Sequence, residues 1–597
     1  MSIVALDKVT VFGLPQDKQS VLEGLQTLGC MHLIDLQPPP ATSVFATTDT
    51  VSDAREALRY IMDVKKRRHQ VRFESEFDPK QVIAEALANR KKRRETEDKK
   101  LFLTSRLEVL KPWGNFTIPA VEDLGGYRLW FYCLPHTKIK ALETLNFPWQ
   151  SVGSDHRHMY LVVVSEAEPQ ANALPVERTH AGSISPSELE DQLEKVEIEL
   201  DEIEAERQAL SRWSFLLSRH LARAEDQAAL GQAKSKTRED DDVLLVQGWM
   251  PKRDLNRLEV FVREEGLAFI AETPQPGDNP PTLLENPGGL RGGQDLVTFY
   301  KIPGYQDWDP SIVVFLSFSV FFAMILCDAG YALILAAILG GHWESMGKSP
   351  GGRNLRMLFA VGLLLAVFYG ILAGSYFGLG PPKGSFLAHF KLLNINDYTQ
   401  MMKVAITIGC LHILLANAIV LYSAADYPGK VRALGWMVVI LGGLLMYLGP
   451  RTGLSKIAAG LAAAGLVMII LLSSKRKADS IKSFLLRLFD GFSSSFEVLK
   501  LFGDIMSYLR LFALGLASAS LAYTFDQLAL HVHYAIPGLG LLLAILILLL
   551  GHAVNLLLAL VDCFVHGLRL NYIEFFNWGL SGEGYPFQPF CKKEVNQ

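Results

Sequence analysis

The chain has 597 residues, a formal net charge of −4 and a hydrophobic share of 50%. A charge this close to zero gives no general attraction to nucleic acid, so we expect no nucleic-acid partner. The six cysteines occur singly, without a CxxC pair or a cluster with histidine, which excludes a disulfide framework and a zinc site. The mean hydropathy of +0.20 hides a change near residue 310, because the chain is charged before it and strongly apolar after it.

The first 300 residues predict an α+β strut that stays in the cytoplasm. The opening MSIVALDKVTVFG has no basic segment followed by an apolar core, so no signal peptide is expected. Strand-like and helix-like stretches alternate over residues 1–36, and GYRLWFYCL and MYLVVVSEA are further strands. We expect one α/β lobe from residues 1–50 and 111–186, and a second lobe from residues 235–300.

Two long helical stretches are predicted between the lobes. Residues 51–110 are charged, and their basic run RKKRR is either a solvated helix face or a dock for an acidic partner. Residues 187–234 have the four–three apolar spacing of a coiled-coil seam, interrupted only by Arg207. The seam residues are Leu189, Leu193, Val196, Leu200, Ile203 and Leu210. An antiparallel coiled-coil pair with a lobe at each end is the expected shape.

The second half contains apolar runs long enough to cross a bilayer. The runs are 311–341, 355–379, 401–423, 432–449, 455–473, 497–530 and 536–568. Seven spans after a cytoplasmic start would leave the basic cluster SSKRKADSIKSFLLR (Lys475, Arg476, Lys477, Lys482, Arg487) outside, against the positive-inside rule. A reversal at the polar break Cys327–Gly330 would divide the first run into two short spans. We therefore expect residues 301–597 to form an all-α membrane domain of about eight helices, with seven as the alternative.

The last two apolar runs carry many polar and ionisable residues. They are Glu497, Asp504, Arg510, His552, Asn555, Asp562, His566, Arg569 and Glu574. Such residues usually face a bundle interior or a water-filled cavity, so together they predict a hydrated path. Each alone could be a helix-end residue, Arg510 could snorkel to an interface, and Asp328 could be only a turn residue.

Arg510 lies on a helix face with Gly503, Ser507, Leu514 and Ala517. Small residues, Ser518 among them, crowd the next two turns and would let another helix approach closely. An arginine stays protonated at physiological pH, so it cannot relay a proton. It can neutralise a partner carboxylate.

Several segments are specific enough to indicate a family. They are the opening VALDKVTVFGLPQDKQSVLEGLQTLGCMHLIDL, then GWMPKRDL, NPPTLLENP, YKIPGYQDWDPS, CDAGY, GDIMSYLRLFALGLA and HGLRLNYIEFFNWGLSGEGYPFQPF. Over essentially its whole length the chain resembles the membrane stator subunit of V-type and archaeal-type rotary ATPases, called subunit a in eukaryotes and subunit I in bacteria. The resemblance implies that the last two membrane helices are long and tilted and embrace a rotor ring of small subunits, each with a membrane-embedded carboxylate.

The resemblance also implies two aqueous half-channels that meet the ring at offset positions. Arg510 matches the arginine between them, and Arg569 and His566 match residues that support it. The expected ion-translocation residues are Arg510, Arg569, His566, Asp562, Glu574, Asp504, Glu497, Ser507 and Ser518. Eukaryotic members usually have His, His and Glu where this chain has Asn571, Ser518 and Ala559.

The expected function is that of a stator subunit with no catalytic site, metal or cofactor of its own. Expected partners are the rotor ring, peripheral stalks on the cytoplasmic lobes, the central-stalk socket subunit and lipid. The expected location is the bacterial cell membrane, with the N-terminal half and the C-terminus in the cytoplasm. One alternative is a secondary transporter with a cytoplasmic coiled-coil appendage, although no internal repeat is evident. The other is a membrane-anchored coiled-coil scaffold or receptor. The ion, H⁺ or Na⁺, and the direction, pump or synthase, stay open.

Overall fold

The computed structural model describes the chain except residues 1, 38–44, 117–123, 145–146, 170–173, 177, 180–184, 241, 276, 383, 396, 425, 450–453, 473, 475–480, 581 and 594–597. Lys475, Arg476 and Lys477 of the basic cluster therefore lie outside the described residues. The chain divides into two compact units. The first comprises Met1–Val9, Gly248–Asn256 and Ile270–Pro589, and the second Thr10–Gln247, Arg257–Phe269 and Phe590–Gln597.

In the described part of the chain, nine strands form two sheets. They are β1 (Leu6–Gly13), β2 (His32–Leu33), β3 (Arg128–Pro135), β4 (Trp149–Ser154), β5 (His158–Ser165), β6 (Arg178–Thr179), β7 (Arg238–Asp240), β8 (Val243–Pro251) and β9 (Ala268–Glu272). One sheet has the order β2-β8-β1-β9, with β7 beside β8, and the other has the order β4-β5-β3-β6. β3 and β5 are antiparallel, with Arg128 opposite Ser165 and Pro135 opposite His158.

The sheet pairing differs from the expected lobes. We grouped residues 1–50 with 111–186, but β1 and β2 share their sheet with β8 and β9, while β3–β6 form a sheet of their own. The chain leaves this sheet along the helices of residues 45–110 and returns along those of residues 186–236. The strands before and after these helices therefore meet in one sheet. The pairing of β1 is thus long-range in sequence, where local pattern gives no information.

The described residues of the first 300 contain seven α-helices. They are α1 (Lys18–Leu28), α2 (Phe45–Met62), α3 (Pro79–Leu110), α4 (Pro186–Leu210), α5 (Ser214–Lys236), α6 (Leu255–Glu264) and α7 (Arg291–Tyr300). The helix expected over 51–110 is interrupted between α2 and α3. Asp78 caps the new helix by accepting hydrogen bonds from the backbone N–H groups of Lys80 and Gln81, and Pro79 stands at its first position.

α3 and α4 are antiparallel. Asn89 of α3 donates to the backbone oxygen of Ile203 at 3.1 Å, whereas Lys100, further along α3, pairs with Glu197, further back on α4. The break in the seam at Arg207 has a structural cause. The buried Arg207 side chain donates to the backbone oxygens of Tyr60 and Asp63 at the end of α2, at 2.8 and 2.7 Å from Nη2, and so satisfies carbonyls that a helix end leaves free.

The second half contains twelve helices among the described residues. They are α8 (Ser311–Leu326), α9 (Ala329–Gly341), α10 (Trp343–Met346), α11 (Pro350–Ala373), α12 (Tyr398–Ser423), α13 (Tyr427–Leu448), α14 (Leu454–Leu472), α15 (Ile481–Ser495), α16 (Glu497–Ser507), α17 (Leu509–Ala535), α18 (Gly540–Arg569) and α19 (Phe576–Gly579). Six helical stretches of the described chain are long and apolar enough to cross a membrane, and α8 and α9 are shorter apolar helices. The chain is a multi-pass membrane protein.

The first apolar run breaks at Cys327 and Asp328. Cys327 has a left-handed backbone (φ 48°), and Asp328 caps α9 by accepting a hydrogen bond from the N–H of Tyr331 at 3.0 Å. Its other carboxylate oxygen accepts from the Ser375 hydroxyl at 2.7 Å and from the N–H of Gly378 at 2.9 Å. Asp328 is thus a buried turn residue whose charge is met by three donors.

The chain reverses direction at this break. Three contacts, taken in order along α11, fix the directions: Arg356 with Trp343, Gly362 with Phe322, and Gly370 with Ala329. α11 therefore runs parallel to α8 and antiparallel to α9. The reversal favours eight spans over seven, and the count stays a prediction.

Candidate functional site

The polypeptide around Arg510 is positioned by a helix break. α16 ends at Ser507 and α17 begins at Leu509, and Tyr508 between them is fully buried. The Tyr508 hydroxyl lies 2.8 Å from Nδ1 of His412 on α12. This contact anchors the residue two positions before Arg510. Nη1 of Arg510 is buried and has no hydrogen-bond partner among the described residues.

α18 carries three ionisable side chains on one face, and two of them, His566 and Arg569, interact electrostatically with Arg510. Asp562, His566 and Arg569 recur at four- and three-residue intervals and so share one helix face. Nε2 of His566 lies 3.8 Å from an Asp562 carboxylate oxygen, and Nδ1 is buried without a partner among the described residues. Arg510 and Arg569 both interact electrostatically with His566, so the three helix-facing groups and Arg510 form one charged cluster.

Glu574 joins this cluster through a change in helix type. After Arg569 the chain continues as a π-helical segment, Leu570–Phe575, a geometry that often marks functional sites. Glu574 in this segment is only 2% exposed. Its carboxylate is influenced by the Ser507 hydroxyl and by the positive charges of Arg510 and Arg569. One oxygen, Oε2, has no hydrogen-bond partner in the described chain.

One side of α16 and α17 beside Arg510 is an exposed face of small residues. Gly503, Ala513, Ala517 and Ser520 are exposed, and Arg510 itself is half-buried. Such a face lets a neighbouring helix come close to the guanidinium. Because the Arg510 side chain is only half-buried on this face, an anionic group from outside the chain can approach it.

The structure places Asp504 and Glu497 outside the arginine cluster. Oδ2 of Asp504 accepts a hydrogen bond from the Trp578 ring nitrogen at 2.7 Å. Glu497 pairs with Arg432 of α13 at 2.5 Å. Both carboxylates therefore have partners that explain them as links between helices.

Ser518 belongs to a second polar group, on the opposite side of the cluster from Asp504. Asn555 of α18 donates to the backbone oxygen of Ser518 at 2.9 Å and to the Tyr331 hydroxyl at 3.0 Å. The Tyr331 hydroxyl lies 2.7 Å from Nδ1 of His552, and Nε2 of His552 lies 3.1 Å from an Asp526 oxygen. Ser518 is eight residues after Arg510, which is about 12 Å along a helix.

Sequence reasoning missed four members of these contacts. His412 and Tyr331 stand in other apolar helices, where no local pattern links them to α17 or α18. Tyr508 and Tyr331 also count as apolar in a hydropathy pattern. Asp526 offered a signal, an acidic residue within the penultimate apolar run, that we did not use.

The departures Asn571 and Ala559 fall on buried positions. Asn571 accepts a hydrogen bond from the Ser317 hydroxyl at 2.5 Å and donates to the backbone oxygen of Gly567 at 2.9 Å. Ala559 is part of the apolar core between the helices. Among the described residues, no three histidine, cysteine or acidic side chains are grouped so that they could hold a metal ion.

Comparisons with known proteins place the chain among similar sequences. The sequence model of the V-type ATPase 116kDa subunit family matches residues 497–592, the segment that carries the charged cluster. The chain is 24% identical to the V-type ATP synthase subunit I of Borreliella burgdorferi over 99% of both chains. It is 29% identical to the A-type ATP synthase subunit I of Methanocaldococcus jannaschii, over 67% of this chain and 63% of that protein.

A solved structure, the cytoplasmic N-terminal domain of a subunit I homologous to subunit a of V-ATPase, is also similar, at 16% identity and a TM-score of 0.24. It covers 44% of this chain and 99% of that one. The sequence matches extend over the soluble half as well as the membrane half. The chain is thus similar to the V-type ATPase 116kDa subunit family over residues 497–592, and to V-type and A-type ATP synthase subunits I over most of its length.

Proposed function

We propose that this chain is the membrane stator subunit of a V-type rotary ATPase, in which Arg510 separates two ion half-channels facing a rotor ring. The observation that carries the proposal is the Arg510 guanidinium, which has a buried, unpartnered Nη1 beside an exposed face of small residues. A charged arginine at membrane depth costs about 2.5–3.5 kcal/mol even on the mildest scale. A carboxylate carried past by a rotor subunit would offset that cost.

Arg510 acts on that carboxylate through electrostatics alone. A carboxylate close to a guanidinium favours its ionised form, so a rotor subunit must release its ion before passing. Arg569 adds a second positive charge to the same place, and the nearby Glu574 carboxylate offsets part of it. The ion therefore cannot move directly from one half-channel to the other.

The two polar groups are suited to line the two half-channels. The group of Asp562, His566 and Glu574 lies on one side of Arg510 and the group of Ser518, Asn555 and His552 lies further along the same helix pair. A cavity beside α17 is lined by Ser375, Lys391, Asn394, Ser520 and Thr524 and adds a polar route next to the second group. An offset between two such routes makes ion flow depend on rotation.

The soluble half acts as a strut in this proposal. α2 and α5 pack around the buried residues Ala57, Ile61, Trp213 and Leu217, and α3 and α4 continue the bundle. Helices packed side by side resist bending, which suits an element that holds the stator against torque. Its partners would be peripheral stalks and the socket of the central stalk, and its place the bacterial cell membrane.

The test is ATP-driven ion uptake into vesicles that contain the assembled complex. Arg510→Gln is compared with Arg432→Gln, which removes an arginine from another membrane helix, and assembly is checked by co-purification with the rotor ring. The proposal predicts that both variants assemble with the rotor ring. The Arg432→Gln complex should transport the ion, and the Arg510→Gln complex should not. Repeating the measurement with and without sodium identifies the ion. Normal uptake by an assembled Arg510→Gln complex would refute the proposal.

A further inference from the structure

A pocket rich in arginine lies where α7 and α11 begin. Its lining includes the backbone of Gly288 and Gly289 and the side chains of Arg291, Arg353 and Arg356. It lies at the N-terminal end of the membrane-spanning α11, and it is separate from the charged cluster around Arg510. No carboxylate among the described residues forms an ion pair with any of the three arginines.

The surrounding acidic side chains already have partners. Oδ2 of Asp295 accepts a hydrogen bond from the Asn354 amide at 2.8 Å. Glu285 pairs with Arg253, whose two terminal nitrogens each lie 2.5 Å from one of its carboxylate oxygens. The pocket thus keeps an excess of positive charge.

Arg356 is held in place with spare hydrogen-bonding capacity. Its Nη1 donates to the backbone oxygen of Trp343 at 2.8 Å, and the guanidinium lies 4.6 Å from the centre of the Trp343 ring. Its Nε is buried and has no partner among the described residues. An unpartnered buried donor beside two exposed arginines is a site built to receive an acceptor.

The backbone adds donors at the start of α7, which begins at Arg291 without a side-chain cap. The start of α11 adds fewer, because Pro350 has no N–H group and the Ser349 hydroxyl accepts from the N–H of Gly352. Close packing fixes α7, because a Cβ atom on Gly293 would clash with the backbone oxygen of Ser311. Helix starts carry free N–H groups and partial positive charge, which attract anions.

We propose that this pocket binds a phosphate group. Three guanidinium groups match the oxygens of a phosphate, for which arginine is the preferred side chain. The group could belong to an anionic phospholipid or to free phosphate. The surroundings fit a lipid, because Trp343 lies beside the pocket and exposed Leu364 and Phe368 of α11 would run along its acyl chains.

The experiment uses the full chain purified in detergent and native mass spectrometry to count bound phosphatidylglycerol. Arg291→Gln/Arg353→Gln removes the two exposed arginines and leaves Arg356 and its tryptophan contact intact. Lys430→Gln/Lys482→Gln removes the same charge from the starts of α13 and α15. A second arm titrates inorganic phosphate by calorimetry, and thermal unfolding checks that all variants fold.

The proposal predicts that the arginine double variant binds phosphatidylglycerol about 30-fold more weakly, from about fivefold for each of the two charges, while the lysine variant is unchanged. An arginine-dependent titration with inorganic phosphate alone would also support a phosphate site and would identify the free ion as its ligand. The proposal is overturned if wild type binds neither, or if the two double variants lose lipid equally.

Discussion

The carboxylate of Asp328 accepts a hydrogen bond from the Ser375 hydroxyl at 2.7 Å, linking the break between α8 and α9 to the loop that follows α11. The same carboxylate caps α9 and accepts from the N–H of Gly378. This acidic residue in an apolar run is therefore explained by the reversal of the chain.

Replacing Asp328 by alanine is expected to lower stability and leave ion specificity unchanged. Loss of a helix cap costs about 0.5–2 kcal/mol, and the Ser375 and Gly378 donors would also lose their partner. The measurement is the thermal unfolding temperature of the purified chain, with Asp397→Ala, a cap at the exposed start of α12, as the control. An unchanged unfolding temperature would show that the turn does not depend on this carboxylate.

The soluble half offers a test by pH. The Tyr160 hydroxyl and the N–H groups of Arg157 and His158 each donate to the Asp155 carboxylate at 2.7 Å, and they hold its pKa well below the ordinary value near 4. The stability gained is therefore full above that ordinary pKa and is lost as pH falls through about 4 towards the lowered pKa.

We expect hydrogen exchange in β5 to be slower in wild type than in Asp155→Asn at pH 6, with the difference shrinking below pH 4. Mass spectrometry of peptides from residues 158–165 measures it. The matched control is Asp201→Asn, an exposed carboxylate on α4. A difference that stayed constant from pH 6 to pH 3 would show that the Asp155 charge does not stabilise the hairpin.

Two buried asparagines near the end of the chain allow an effect on ion transport to be distinguished from an effect on packing. Asn555 connects Ser518 to Tyr331, and Asn571 connects α18 to Ser317. Each leucine substitution should destabilise the chain by about 1–3 kcal/mol, because polar partners are left unpaired. Only Asn555→Leu should also lower ATP-driven uptake by the assembled complex, about tenfold or more. Equal uptake in the two variants would assign the second polar group to packing alone.

The local sequence pattern predicted the positions of helices and strands better than it predicted which of them pack or pair together. Leu189, Val196 and Ile203 of the seam are buried as the spacing requires, and the break at Cys327–Asp328 ends one helix and begins another. The sheet that joins β1 to β8 could not be predicted in this way, because some 230 residues separate the two strands.

The charged site shows the same limit. Spacing along one helix gathers Asp562, His566 and Arg569, but only the tertiary structure pairs Glu497 with Arg432 and Tyr508 with His412. The π-helical segment that turns Glu574 inwards depends on backbone hydrogen bonds and leaves no mark in a hydropathy pattern. The residue types indicated a charged site within the membrane helices. The tertiary contacts determined which of these residues lie together in it.

The most direct test of the role of Arg510 is the passive ion flux through the assembled complex in vesicles, driven by a potassium diffusion potential without ATP. With Arg510→Gln, a rotor carboxylate could carry its ion past the stator, so we predict flux at least tenfold above that of wild type and of Arg432→Gln. Flux as low as in wild type, together with intact ATP-driven uptake, would contradict the account.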